Sequence, residues 1–297
     1  MYARGELSLP ILLSTRLKSV GGSLYAFREE CGWAYQLLLV LAMAGVTGVA
    51  AQVAIPLPFT PVPLTGQVFA VLLAGGLLGR RLGPGSQLAY LGLGLVGVPW
   101  FAPATGAAWF STGGPAILLG ATGGYLIGFV PAAALVGVLV DRGFAERGFA
   151  THLLTALAGV AVVYAFGAVQ LALVLGLSPD QAFVLGAVPF FPGDVLKAVA
   201  AAGLLSGFLP VSTNGPTGVL APRRSLDIRR DVPLLAALLL ALWLLLPHLA
   251  TSAGASPVVL AYYYTAAAAA TGFIALGGLL RLLVRRAARV PVVAGAA

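Results

Sequence analysis

The chain has 297 residues, of which 60% are hydrophobic and only 9% charged, and its mean hydropathy is +0.99. No soluble domain of this size carries such a composition on its surface, so the sequence reads as an integral membrane protein. The formal net charge of +8 does not point to nucleic acid, because the charges lie in short clusters between apolar runs, where membrane topology accounts for them.

Residues 1–36 contain one apolar run, Leu7 to Leu13, that is short, broken by Pro10 and not preceded by concentrated basic residues. They read as a retained cytoplasmic extension rather than a cleaved signal. Beyond them, spans are predicted over about 37–53, 66–79, 85–99, 116–139, 151–176, 192–209, 232–249 and 257–284. The runs are rich in Leu, Ala and Gly and lack period-two alternation, which favours helices over a barrel. Several fall short of the roughly 20 residues that cross a bilayer straight, so loops are expected to dip inward at the outer face.

Arg16, Lys18 and Arg28 precede the first span, Arg80-Arg81 follow the second, Arg142 and Arg147 the fourth, and Arg223, Arg224, Arg229 and Arg230 the sixth. Arg281, Arg285, Arg286 and Arg289 close the chain, whereas linkers 54–65, 100–115, 177–191 and 250–256 hold no Lys or Arg. The positive-inside rule therefore places both termini in the cytoplasm of a plasma-membrane protein.

The uncharged linkers have unusual content. Pro56, Pro58, Pro61 and Pro63 remove four amide donors and predict a stiff, extended flap. The next carries Trp100, Phe101, Trp109 and Phe110, and the third carries Phe190 and Phe191. These aromatics are either an interfacial belt or the wall of a pocket. Residues 178–188 predict a short helix on the outer surface.

One cation, Lys197, lies inside an apolar run, three residues after Asp194. An ionisable group at membrane depth costs roughly 2.5–3.5 kcal/mol on insertion scales. The i, i+3 spacing puts the two on one helix face, and Pro192-Gly193 predicts a helix start that leaves Asp194 in the first turn, where the helix dipole favours an anion. The pair either pins the helix or contacts a ligand. Buried ion pairs stabilise poorly relative to apolar packing, which favours a ligand presenting both donors and acceptors.

Other patterns carry less. Gly92-x-Gly94-x-x-Gly97 lies within a span with no preceding strand, so it is no dinucleotide fingerprint. Gly75/Gly79, Gly120/Gly124 and Gly124/Gly128 predict close helix packing. Thr122-Gly123-Gly124-Tyr125 offers glycines that admit a ligand or a neighbouring helix to the backbone, beside an aromatic hydroxyl. Cys31 excludes an internal disulfide, and His152 and His248 do not suggest a metal site. The sequence has no P-loop, no H-E-x-x-H and no Ser/His arrangement, so it reads as a non-enzyme whose coupling to ATP would require a partner. No row of intramembrane acids suggests an ion relay, and the halves show no obvious repeat.

Three segments together are distinctive: Pro58-Phe59-Thr60-Pro61-Val62-Pro63-Leu64-Thr65-Gly66-Gln67 running on to Gly75, then Thr122-Gly123-Gly124-Tyr125-Leu126-Ile127-Gly128-Phe129, then Pro189-Phe190-Phe191-Pro192-Gly193-Asp194-Val195-Leu196-Lys197. In order and spacing they closely resemble the BioY family, the biotin-binding (S) components of energy-coupling-factor (ECF) vitamin transporters. The resemblance covers 37–209 and implies a six-helix membrane core. It also implies capture of biotin from outside, no cofactor beyond that ligand, and docking on a transmembrane coupling protein with two ATPase subunits. By motif it implies Asp194 and Lys197 as polar ligand contacts, Thr65 and Gln67 on a lid formed by 58–67, and Thr122, Gly123 and Tyr125 in a pocket segment. Which end of biotin meets Lys197 stays open.

Small residues on the first helix are associated with partner docking in this class, and Ala44-x-x-x-Gly48 is the nearest equivalent, the alternative being packing within the chain or against lipid. Ala121 stands where the family pattern leads one to expect Pro. Residues 210–231 form a basic linker and 232–297 two further spans that the family core does not need. These are expected to be accessory, so that deleting 215–297 spares biotin binding. Two other functions compete: a partner-independent biotin carrier, and a structural membrane protein in which Asp194–Lys197 only pins a helix.

Overall fold

The computed structural model describes residues 32–103, 107–142, 149–208, 251, 256–261, 263–265 and 267–268. The first 31 residues, the basic linker 210–231, the span 232–249 and most of 257–284 lie outside the described residues.

Helix α1, Trp33–Gln52, is apolar on all sides, as a helix between lipid and protein should be. Leu37, Leu38, Leu41, Val46 and Val49 are exposed, while Ala44, Thr47, Gly48, Ala51 and Gln52 face inward. The proline-rich linker is extended as expected, but it pairs with itself: β1, Ala54–Leu57, and β2, Thr60–Thr65, form an antiparallel hairpin. Ala54 lies opposite Thr65, Ile55 opposite Leu64 and Leu57 opposite Thr60, with an irregularity between Ile55 and Leu57. In a two-stranded ribbon both strands are edges, so a proline is tolerated wherever its missing donor faces away from the partner.

Helix α2, Gln67–Leu95, is two helices joined at Gly79, whose φ of 72° and ψ of −168° suit only glycine. The second half folds back on the first, so that a Cβ on Gly83 would lie 2.9 Å from the Ala74 carbonyl. The expected basic linker after the second span is thus a one-residue reversal, with exposed Arg80 and Arg81 already helical. Asp141 accepts the Arg80 N–H at 3.0 Å, a carboxylate cap on the new helix start.

The span expected over 116–139 is broken. A single turn, α3 (Ala116–Leu119), is separated from α4 (Gly123–Asp141) by Gly120, Ala121 and Thr122. The break is held by Gln170, whose side-chain amide donates to the Leu118 and Gly120 carbonyls at 2.6 and 2.8 Å. Helix α5, Phe149–Leu175, follows. The short helix expected over 178–188 is α6, Pro179–Gly186, started by a Ser178/Gln181 capping box with Pro at the first position. It bends by 57° into α7, Phe191–Phe208.

Helices α1, α4 and α5 are each long and apolar enough to cross a membrane, and α6 with α7 pass as one bent span. With the two halves of α2, six helices make a multi-pass membrane core. Its interior is formed by Val71 and Leu72 of α2, Phe129 and Val136 of α4, Val160 of α5 and Leu205 of α7. A second, smaller apolar cluster joins Val184 and Val188 to Val259, Tyr263 and Ala267 from the C-terminal extension.

Candidate functional site

Asp194 enters through the first turn of α7 and is 2% exposed. Its Oδ1 accepts from Lys197 Nζ at 2.5 Å, and its Oδ2 accepts from Tyr164 Oη, on α5, at 2.6 Å. A carboxylate so placed has its desolvation offset by one cation and one hydroxyl. The three side chains line a cavity of about 220 Å³.

Around that polar end the walls are mostly apolar. Val62 and Leu64 of the hairpin, Phe101 and Pro103 of the loop after α2, and Leu126 and Phe129 of α4 supply them. Thr65 ends β2 and Gln67 opens α2, and both line the cavity. Thr65 donates to Gln67 Oε1 at 3.0 Å, and Gln67 Nε2 donates to Tyr90 Oη at 2.7 Å. A pocket with an apolar body and a few fixed polar groups suits one small organic ligand. Among the described residues no cluster of His, Cys, Asp and Glu is arranged to hold a metal ion.

Thr65, Gln67, Thr122, Tyr125, Asp194 and Lys197, spread over 133 residues of sequence, thus face one cavity. Gly123 does not line it. A Cβ there would collide with the Leu118 carbonyl and crowd Gln170, and one on Gly124 would collide with the Phe166 carbonyl. Both glycines serve helix contact. Tyr125 lines the cavity while its hydroxyl donates to the Gly186 carbonyl at 2.7 Å, tying α4 to the end of α6. Ala44 is fully buried and a Cβ on Gly48 would lie 3.0 Å from the Trp100 ring. This small-residue pair faces the interior, against Trp100.

The aromatics divide between the two readings. Phe101 and Phe190 wall the cavity, whereas Trp109 and Phe110 are exposed. Trp100 does neither, since its Nε1 donates to the Tyr90 carbonyl at 3.0 Å. Gln52, at the end of α1, holds this loop from both sides: Nε2 donates to the Trp100 carbonyl at 3.0 Å, and Oε1 accepts from the Phe110 N–H at 2.8 Å. Tyr164, Gln52 and Gln170 escaped the sequence reading. The signal for Tyr164, Gln52 and Gln170 was available, a hydrogen-bonding side chain inside or ending an apolar span.

The sequence profile described as the BioY family matches residues 23–213. The chain belongs to the BioY family. It is 42% identical over 154 residues to the probable biotin transporter BioY of Methanothermobacter thermautotrophicus, covering 48% of this chain and 91% of that protein. It is 36% identical over 148 residues to the biotin transporter BioY of Thermotoga maritima, covering 50% and 81%. A crystal structure at 2.1 Å of the S-component for biotin from an ECF-type ABC transporter superposes with a TM-score of 0.52 at 28% identity, over 58% of this chain and 89% of that one. The part shared with BioY relatives contains the hairpin, both halves of α2, α4, α5 and α7. Residues beyond 213 are additional to it.

Proposed function

We propose that this chain captures biotin from the outer side of the membrane and passes it to the cytoplasm as the substrate-binding component of an ECF-type, ATP-driven importer. The observation that carries the reading is the Asp194–Lys197–Tyr164 cluster facing a small apolar cavity. Biotin offers a ureido ring with N–H and C=O groups, an apolar thioether ring and tail, and a carboxylate, so donors, acceptors and apolar walls all find use. The names of the BioY relatives and of the superposed S-component support the ligand and the coupling.

The chain's own role is binding and translocation. Asp194 accepts from ligand N–H groups, Lys197 donates to a ligand oxygen, and Thr65, Gln67, Thr122 and Tyr125 complete the rim. ATP hydrolysis belongs to two partner ATPases, joined through a transmembrane coupling protein. Because Ala44 and Gly48 are buried, contact with that protein falls to exposed positions. The clustering of Arg80, Arg81 and Arg142 at the end opposite the hairpin supports cytoplasmic termini.

Uptake of radiolabelled biotin by cells expressing this chain, with and without the coupling protein and ATPases, tests the proposal. Uptake that requires all of them is the expected result. Equal uptake without them would make the chain a self-sufficient carrier, and no uptake in either host would refute transport of biotin.

A further inference from the structure

We propose that Val259, Tyr263 and Ala267 of the C-terminal extension act as positioning residues for ligand retention, by packing the hairpin tip and the start of α7 against the cavity. The proposal rests on the biotin-binding reading above. Val259, Tyr263 and Ala267 are 1%, 1% and 6% exposed, and their i, i+4, i+8 spacing defines one helix face. Val258 and Tyr264, off that face, are 59% and 44% exposed.

The buried face meets Val184 and Val188, and Phe59, Phe183 and Phe191 pack against the same cluster. Two of these contacts lead directly to the site. Phe59 is the turn residue from which β2 starts, and 61–65 of β2 wall the cavity. Phe191 lies 6.5 Å from the Tyr164 ring, whose hydroxyl holds Asp194. An isolated two-stranded hairpin is marginal in water, and this one lacks the amide donors of its prolines. Leu57 and Val62 seat it on the main core, and Phe59 at its tip adds the contact with the extension. Loosening that contact opens the lid without removing any polar ligand contact, so it accelerates escape of the ligand. On this account the extension is dispensable for recognition but not for retention.

Dissociation of radiolabelled biotin from the purified full chain into excess unlabelled biotin tests this, with Val259→Ala, Tyr263→Ala, Phe59→Ala and the Phe59→Ala/Tyr263→Ala double variant. The expected result is escape about 10-fold faster for Tyr263→Ala, a smaller rise for Val259→Ala, and a double variant scarcely faster than the quicker single one, as for residues acting through one contact. If Tyr263→Ala does not fold, Val259→Ala carries the comparison. Parent-like rates in the folded tail variants, or fully additive effects with Phe59→Ala, would overturn the proposal while leaving biotin binding intact. A folded parent that retains no biotin would instead overturn the functional reading and this proposal with it.

Discussion

Tyr164 on α5 donates its hydroxyl to Asp194 on α7 at 2.6 Å, on the carboxylate oxygen that Lys197 does not use. Two helices distant in sequence thereby fix the direction of one buried carboxylate. The i, i+3 ion pair on its own leaves that carboxylate free to turn about its side chain, and the tyrosine removes this freedom.

Tyr164→Phe is accordingly expected to fold normally and to bind biotin about 10-fold or more weakly, because a hydrogen bond to a charged group is worth roughly 1.5–3 kcal/mol. Calorimetric titration of the variant beside the parent measures it. Unchanged affinity would show that Lys197 alone orients Asp194.

Gln52→Leu removes the acceptor of the Phe110 N–H and one of the two donors to the Trp100 carbonyl, the Tyr90 hydroxyl at 3.4 Å being the other, in the loop that carries Phe101. A net intramolecular hydrogen bond is worth roughly 0.5–1.5 kcal/mol. The expected outcome is faster proteolytic cleavage within 97–112 and a lower melting temperature in detergent. A cleavage rate equal to that of the parent would mean that the loop is held by Trp100 and Tyr90 alone.

Gly79→Ala forces a side chain into a backbone conformation with φ of 72°, at a cost of order 1–3 kcal/mol. The helical reversal that brings Tyr90 back to Gln67 depends on it, so the variant is expected to melt earlier than a Gly92→Ala control, whose added methyl meets nothing within 4 Å. Equal melting temperatures would contradict the strained-turn account.

Gly124→Val pushes a branched side chain into the Phe166 carbonyl and Gln170, where overpacking costs typically 1–3 kcal/mol. Loss of thermal stability is expected before any selective loss of ligand. A variant that melts like the parent but no longer binds biotin would instead assign Gly124 to the ligand.

The helical layout was legible because apolar runs interrupted by charge have one physical meaning in a bilayer. Asp194 and Lys197 stood out for the same reason. What the sequence concealed was direction. Ala44-x-x-x-Gly48 and Gly123-Gly124 specify that a backbone can be approached closely, yet not by what, and in this fold Trp100 and α5 take those places. A single tyrosine within the 27-residue apolar helix α5 looks the same whether it faces lipid or Asp194. The prolines of 56–63 announced extension, but pairing of β1 with β2 depends on partners several residues away. The helix break at Gly120 was hidden because the residue that stabilises it, Gln170, lies 50 positions on.

The central claim is that the Asp194–Lys197 pair belongs to a biotin site. Calorimetry of biotin binding to the purified parent, Asp194→Asn and Lys197→Met, each verified as folded by thermal melting, tests it most directly. Tight binding by the parent and a loss of roughly 10- to 100-fold in each variant are expected, as a hydrogen bond to a charged group is worth roughly 1.5–3 kcal/mol. Parent-like affinity in both variants would contradict it.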